Sequence, residues 1–426
     1  MIFPDKRKRM VQIRRNHIDH RKEQQRHRRR KITVSVLVVS LLLAGGIYAR
    51  ADLKVLEGID YLKSLKKNTI SPEERAAKKG ATDADNAKEK QERKDNKTAK
   101  GTKDREKVKE EKNSPITVAF TGDVLLSDYV VNNYKEKGLD GVVTKDLRKI
   151  LKGYDILTIN NEFPYSTRGV KAADKQYTFR ADPSYAKTIT KKIGVDVATL
   201  ANNHVLDYGK DALTDTFTAL EDAKIPYTGA GESQEEARGL VTVKKNGKTF
   251  GFLAASRVIP LASWDIRNSQ PGVFTCYDPS DLIEEIKKDK EKVDYLFVSV
   301  HWGQEHVTTL RDYETPMAHK ILDAGADAVI GAHPHVLQKM EFYNGKPVFY
   351  SLGNFIFNRD IDQTVVAVAS IDKKQDKISW KLLPAKAHKA TTTVADPEEG
   401  RKILQYMDDL SDNVSVDTKG NITEKQ

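Results

Sequence analysis

The sequence contains one cysteine, Cys276, among 426 residues. A single thiol cannot form an intrachain disulfide, and it cannot provide a zinc site built from clustered cysteines. Apolar residues are also scarce in one region. Residues 71–114 contain no aromatic side chain, and Val108 is their sole aliphatic residue larger than alanine. Such a stretch cannot bury enough apolar surface to offset the entropy of ordering, so we expect a charged, disordered linker there.

Positive charge is concentrated at one end of the chain. Residues 1–31 contain 13 Lys/Arg and three Asp/Glu, which accounts for +10 of the net charge of +11. The rest of the chain is therefore nearly neutral. A protein that binds nucleic acid would carry its basic residues on a face of the fold. The distribution thus argues against a nucleic-acid partner and indicates a basic tail at residues 1–31.

Residues 32–49 form the one long uncharged apolar run, bounded by Lys31 and Arg50. Eighteen residues just span a hydrocarbon core of roughly 30 Å. The alternatives are a buried core helix or a cleaved signal segment, whose apolar region usually spans about 7–15 residues. The length favours an uncleaved transmembrane anchor.

The basic cluster at residues 28–31 places the tail in the cytoplasm and the C-terminal body outside the cell. The tail would then lie beside anionic lipid head groups of the cytoplasmic leaflet. Residues 50–114 are predicted to form a juxtamembrane segment followed by the charged linker.

A folded domain is predicted from residue 115 to residue 385, followed by a C-terminal helix and tail at 386–426. Apolar runs alternate with amphipathic segments, and Asn-Gly pairs at 246–247 and 344–345 are typical of tight hairpins. This alternation predicts a layered α/β fold. The predicted strands lie at 116–123, 156–162, 195–204, 295–303 and 326–335, and the predicted helices near 147–151, 185–193, 213–223 and 317–324.

Polar side chains follow these strands directly. Because ligands bind at the carboxyl ends of strands in α/β sheets, we expect one shared site. Carboxylates with imidazoles suit Mn, Fe or Zn better than Mg or Ca. A carboxylate between two cations can also bridge them, at a separation of about 3.5–4 Å. The candidate ligands are Asp123, Glu162, Asn203, His301, His333 and His335, with His204 beside them.

Taken singly, these residues have simpler explanations. An aspartate such as Asp123 at a strand end often caps a helix. Asn203 lies in an Asn-Asn pair that suits a turn, and His301 beside Trp302 could be a packed core residue. Several independent strand ends with metal-binding side chains favour the shared site over these separate readings.

Six ordered motifs, TGDVLL, INNEFP, LANNHVLDYG, VSVHWGQE, GAHPHV and YSLGNFIF, resemble the CapA/PgsA family of poly-γ-glutamate capsule biosynthesis proteins. The resemblance covers about residues 115–385, and the basic tail with one membrane span also looks like that family. It implies a four-layer αββα sandwich similar to the calcineurin-like metallophosphoesterases, with a two-metal centre.

The resemblance also implies roles for individual residues. One departure is clear: phosphoesterases carry Asp-x-His at the first strand, whereas the third position here is Leu125, which cannot bind a metal. The first metal position is therefore expected to be weakened, and the resemblance leaves open whether the domain is an enzyme. The implied roles are Asp123 and His335 at the first metal, Glu162 as the bridge, Asn203, His301 and His333 at the second metal, and His204 as the catalytic acid.

Four further residues are candidates for substrate binding. Glu305 follows the HWG segment, and Asn354 lies in SLGNF, where it would line the cleft. Arg168 and Arg180 could meet an anionic substrate because guanidinium groups pair well with carboxylates and phosphates. Arginines exposed at the surface without a ligand are the simpler alternative.

Three functions remain open from the sequence. The first is a membrane-anchored extracellular subunit that assists assembly or export of a polyanionic polymer by a membrane-bound polyglutamate synthase. No Gly-x-x-x-x-Gly-Lys-Ser/Thr loop is present, so the ATP-dependent ligase would be another chain. The second is a secreted metal-dependent phosphoesterase or hydrolase that acts on an envelope polymer. The third is a structural module that holds one metal ion or none.

Overall fold

The computed structural model describes residues 114–173, 175–358 and 360–425. The predicted basic tail, the anchor at 32–49 and nearly all of the predicted linker lie outside the described residues. Among the residues that are described, no helix is both long and apolar enough to span a bilayer.

Strands dominate the described part of the chain, and each of the five predicted strands overlaps one of them. In chain order they are β1 Ile116–Val124, β2 Ile156–Asn161, β3 Val197–Thr199, β4 Tyr227–Thr228, β5 Ala230–Gly231, β6 Val241–Lys245, β7 Lys248–Ser256, β8 Gly272–Val273, β9 Tyr295–His301, β10 Ala328–Ala332, β11 Met340–Tyr343, β12 Lys346–Phe349, β13 Asn354–Ile356, β14 Ile361–Asp372, β15 Lys377–His388, β16 Thr391–Val394, β17 Val414–Val416 and β18 Asn421–Glu424.

Helices connect the strands, and several begin at side-chain caps. Ser127 accepts a hydrogen bond from the Val130 N–H at the start of the first helix, and Asp396 caps the last one. A π-helical turn, Ala186–Thr190, leads into the third helix. The helices are α1 Asp128–Lys137, α2 Lys145–Leu151, α3 Lys191–Ile193, α4 Lys210–Asp222, α5 Gln234–Ala237, α6 Ser280–Lys290, α7 Glu314–Asp323 and α8 Pro397–Leu410.

The strands form two mixed sheets and one two-stranded ribbon, β5 with β8. The larger sheet has ten strands, in the order β17-β18-β15-β14-β1-β2-β3-β4, with β13 beside β1 and β16 beside β15. The smaller sheet has six, in the order β11-β12-β10-β9-β7-β6. Strands β1 to β4 run parallel, as do β7, β9, β10 and β12. The predicted mixed α/β architecture is therefore confirmed.

The two sheets pack face to face through an aromatic core. Phe120 of β1 and Phe297 of β9 are buried, with ring centroids 5.1 Å apart, and Trp380 of β15 meets Phe297 edge-on. Burying each such side chain contributes about 1.5–3 kcal/mol. A second apolar cluster lies between the larger sheet and α2 and α4, and a third between the smaller sheet and α6 and α7. The layers are thus helix, sheet, sheet and helix.

Both Asn-Gly turns form hairpins, as expected. Asn246 and Gly247 join β6 to β7, and Asn344 and Gly345 join β11 to β12. All four have positive φ, which matches the two-residue turn that suits twisted antiparallel strands. Within residues 386–426 the structure shows α8 and the strands β16, β17 and β18, which pair into the larger sheet.

Candidate metal centre

The carboxyl ends of strands from both sheets meet at one edge of the sandwich. Parallel strands within each sheet place their polar end residues on the same side. Asp123 lies near the end of β1, Glu162 follows β2, and His301 ends β9. The structure brings together all six predicted metal ligands, and their side chains are almost completely buried: Asp123, Glu162, Asn203, His301, His333 and His335.

The ligand atoms fall into two groups that share one carboxylate. One ligand atom each of Glu162, His301 and His333 lies within 4.8 Å of the others, and we call these residues the His301 group. The same holds for Asp123, Glu162 and His335, which we call the His335 group. Glu162 therefore stands between two clusters of donors.

The His301 group contains two imidazoles in a desolvated position. His301 Nε2 lies 3.1 Å from Glu162 Oε1 and 3.0 Å from Asn203 Oδ1. The rings of His301 and His333 have centroids 4.7 Å apart. Burial, with the neighbouring imidazoles, lowers the pKa of His301 well below its usual value and that of His333 to about 3. Both rings are therefore neutral, which is the form that binds metals.

The His335 group is held together by ionic contacts. His335 Nδ1 lies 3.2 Å from Asp123 Oδ2, 3.9 Å from Glu162 Oε2 and 2.9 Å from Asn354 Oδ1. Burial alone would lower the pKa of His335, but the carboxylates of Glu162 and Asp123 raise it to about 9. Asn160 Nδ2 donates to Asp123 Oδ1 at 2.8 Å and fixes that carboxylate.

Unpartnered polar atoms point to a cation. Among the described residues, both carboxylate oxygens of Glu162 and Nδ1 of His333 are buried without a hydrogen-bond partner, since the approach of His301 to Glu162 lacks hydrogen-bonding geometry. Burial, then the charge of Asp123, raises the pKa of Glu162 well above its usual value. An orphaned buried group costs about 1–3 kcal/mol. The donor set fits a divalent ion such as Mn, Fe or Zn.

A chain of asparagine amides supports the centre. Two of its members, Asn160 and Asn202, are not among the predicted site residues. Asn202 Nδ2 donates to Asn160 Oδ1 at 3.2 Å and to the Asn161 carbonyl at 2.9 Å, and its Oδ1 accepts from the His204 N–H at 3.1 Å. Asn160 in turn holds Asp123. The Asn160-Asn161 pair at the end of the apolar run before Glu162 was the signal that could have identified this scaffold.

His204 stands beside a partly buried lysine that the sequence did not indicate. Its Nδ1 lies 2.8 Å from Asp207 Oδ2 and 2.9 Å from Lys175 Nζ. Lys175 Nζ also donates to Asp207 Oδ1 at 2.6 Å and to the Asn203 carbonyl, and lies 5.3 Å from the centroid of the Trp264 ring. Burial lowers the pKa values of His204 and Lys175. Because Lys175 lies in an irregular polar segment, no sequence pattern marks it.

The two candidate arginines are engaged by protein groups. Arg168 forms an ion pair with Asp215, with Nη2 2.6 Å from Oδ1, and 58% of its side chain is exposed. Arg180 donates to the Arg168 carbonyl and stacks 4.1 Å from the centroid of the Tyr208 ring. Neither contacts the candidate ligands in the structure, so their substrate-binding role stays a prediction.

The remaining predicted residues lie at the centre or next to it. Asn354 contacts His335 and is paired with Asp123 in the sheet register. Glu305 is exposed, and its carboxylate forms a third group of possible ligands with His333 and His335. Leu125 is 2% exposed and packs in the apolar cluster on the helix side of the larger sheet, so it offers no ligand.

Comparisons with known proteins identify the family to which this chain is related. The family model described as bacterial capsule synthesis protein PGA_cap matches residues 117–359, a range that includes both ligand groups. The "PGA biosynthesis protein CapA" of Bacillus subtilis is 32% identical over 289 residues, covering 67% of this chain and 75% of that protein. The "Capsule biosynthesis protein CapA" of Bacillus anthracis is 32% identical over 267 residues, covering 60% and 63%.

A "Probable polyglutamine synthesis accessory protein" of Mycobacterium tuberculosis is 34% identical over 211 residues, covering 47% of this chain and 55% of that protein. The alignments therefore span between half and three quarters of these relatives. On the family match and the first relative together, the chain belongs to the bacterial capsule synthesis protein family PGA_cap.

Proposed function

We propose that this chain is an accessory subunit of poly-γ-glutamate capsule synthesis that assists assembly or export of the polymer. The observation that carries the proposal is the family match across residues 117–359. Relatives named for PGA biosynthesis, capsule biosynthesis and polyglutamine synthesis support it. Its partners would be the membrane-bound synthase subunits, including a separate ATP-dependent ligase, and the polyanionic polymer.

We place the body outside the cell. The apolar run at 32–49 would anchor it, with the basic tail at 1–31 against anionic lipid on the cytoplasmic side and residues 50–114 as the tether. Protease treatment of intact protoplasts should digest the body and spare the tail. A body that survives this treatment would contradict the topology.

A divalent ion, or two, would be held by the His301 and His335 groups. When bound, such an ion supplies Lewis acidity and lowers the pKa of water. The protein residues would position the ion: Glu162 lies between the two donor groups, and Asn203 and His301 lie together at one of them. In the tautomer in which His204 Nδ1 donates to Asp207, Nε2 is left to exchange a proton.

Gene deletion tests the accessory role. A deletion strain should lose surface polymer while the ligase stays present, and the wild-type gene should restore it. Complementation with Glu162→Gln asks whether the centre is needed, with Glu291→Gln at an exposed position as the control. Normal polymer output in the deletion strain would reject the accessory role.

A second candidate is a metal-dependent hydrolase of the metallophosphoesterase type. The observation that favours it is the pair of ligand groups sharing Glu162, with His204 beside Asn203. Full-length protein with Mn²⁺ and an aryl phosphate is the assay. Turnover that disappears in Glu162→Gln and in His333→Ala would support the enzyme, and turnover that survives both changes would assign it to a contaminant.

A further inference from the structure

The His335 group has one donor fewer than the resemblance to phosphoesterases implies for the first metal position. It offers Asp123, Glu162 and His335, three side chains of which one is shared with the His301 group. The resemblance to phosphoesterases implies an imidazole at position 125, but the residue there is Leu125, whose side chain is buried in an apolar cluster. Protein-bound metals such as zinc usually take four ligands, of which catalytic sites supply three from the protein. An ion there that shares Glu162 would benefit from one more donor.

Glu305 lies on the solvent side of His335, the histidine of this group. One ligand atom each of Glu305, His333 and His335 lies within 4.8 Å of the others. Glu305 is exposed, whereas His333 is buried and the His335 side chain nearly so. This third group therefore shares one histidine with each of the two groups already described. A carboxylate placed there can close the mouth of the centre.

The loop that carries Glu305 is fixed against the histidine segment. Gly303 adopts a φ of +85° directly after His301 and Trp302, a left-handed conformation that suits glycine and turns the chain. Its N–H donates to the Tyr313 hydroxyl at 2.9 Å. The His306 N–H donates to the Pro334 carbonyl at 2.8 Å, which ties the loop to the residue between the two histidines.

The carboxylate of Glu305 is also available. Within the ranges that the structure describes, it has neither a hydrogen bond nor an ion pair. A free carboxylate at the mouth of a group of nitrogen and oxygen donors is a suitable ligand for Mn, Fe or Zn.

We propose that Glu305 is a metal ligand which completes the His335 group in place of the imidazole that Leu125 does not supply. The inference rests on the proposed metal centre and assigns to Glu305 a role beyond substrate contact. It predicts that the chain holds two ions, one of which depends on Glu305.

The test is equilibrium dialysis of the full-length protein, stripped with chelator, against Mn²⁺, with electron paramagnetic resonance of the loaded samples. Wild-type protein should bind two ions, and ions about 3.5–4 Å apart should give a spin-coupled signal. Glu305→Gln should weaken one ion at least about tenfold, since changes even outside the ligand shell cost about 10–100-fold, and should lose the coupled signal. Asp312→Asn, which removes an exposed carboxylate from the same loop, should change neither.

The variant Glu305→His distinguishes direct metal binding by residue 305 from an effect of its negative charge alone. An imidazole can ligate, so this variant should retain the second ion, whereas a purely electrostatic role predicts the same loss as in Glu305→Gln. If wild type binds one or two ions with affinities that Glu305→Gln leaves unchanged, the inference is overturned and the metal centre stands. If the wild-type protein binds neither Mn²⁺ nor Zn²⁺, the role of Glu305 and the proposed metal centre are both overturned.

Discussion

The His301 and His335 groups share Glu162 but differ in the charge of their imidazoles. In the His301 group both rings are neutral, and His333 Nδ1 is buried without a partner. In the His335 group the ring is a cation between two carboxylates, with a pKa of about 9. An incoming metal ion meets ready donors in the first group, but must displace a proton in the second. Similar residue types at one sheet edge therefore need not form equivalent sites.

The strands explain this difference. His301 ends β9 and pairs in register with Ala332 at the end of β10, so His301 and His333, the residue after β10, are buried side by side at the end of the smaller sheet. His335 follows two residues later with a φ of +59° and reaches Asp123 of the larger sheet. The imidazole pair thus lies at the end of one sheet, whereas the His335–Asp123 ion pair joins the two sheets.

The largest effect is expected from the shared carboxylate. Glu162→Gln replaces the carboxyl group that both groups share with an amide, so both ions should weaken by at least about 100-fold, the upper end of what even indirect contacts cost. Titration calorimetry of the stripped protein with Mn²⁺ measures this. Glu291→Gln, at an exposed position after α6, is the matched control. One ion bound with unchanged affinity would show that the groups do not share Glu162.

Single-histidine changes should separate the groups. His301→Ala should weaken the tighter ion by about 10–100-fold, and His335→Ala should weaken the looser one by a similar factor. The reason is that neutral imidazoles bind without giving up a proton, so the His301 group should hold the tighter ion. The same calorimetric titration reports both affinities. If His301→Ala weakened the looser ion and His335→Ala the tighter one, the His335 group would hold the tighter ion, contrary to this prediction.

Metal removal should lower the stability of the fold. An ion at one hundred times its dissociation constant stabilises the native state by about 2.7 kcal/mol. Chelator should therefore lower the melting temperature of wild type, and less so that of His301→Ala, which has already lost the tighter ion. Calorimetric melting with and without EDTA measures the shift. Equal melting temperatures in both conditions would indicate that Glu162 is satisfied without an ion.

The smallest effect is expected from Arg168→Ala. Arg168 is exposed and its partner Asp215 is half-buried, and ion pairs at the surface contribute little to stability. Neither metal affinity should change, and the free energy of unfolding should fall only slightly. Chemical denaturation and calorimetry together check both values. A large loss of metal affinity in Arg168→Ala would show that metal binding depends on a residue outside the His301 and His335 groups.

The sequence pattern of apolar runs followed by polar residues predicted where the candidate ligands lie, because these runs form β1, β2, β9 and β10. Residues that enter from irregular loops were missed: Lys175 and Asp207 reach His204 through contacts that no periodicity encodes. The long hairpin of β14 and β15 was also missed, and its pairing with β1 links residues far apart in the chain. The different charge states of His301 and His335 depend on burial and neighbours, which strand order alone does not give.

Glu162, His301 and His333 should together hold a metal ion. Crystals of the protein grown with Mn²⁺ and measured at a wavelength with strong manganese anomalous scattering would show it. We predict an anomalous peak within bonding distance of Glu162, His301 and His333. Saturating Mn²⁺, followed by Zn²⁺, with no peak at these three side chains would contradict it.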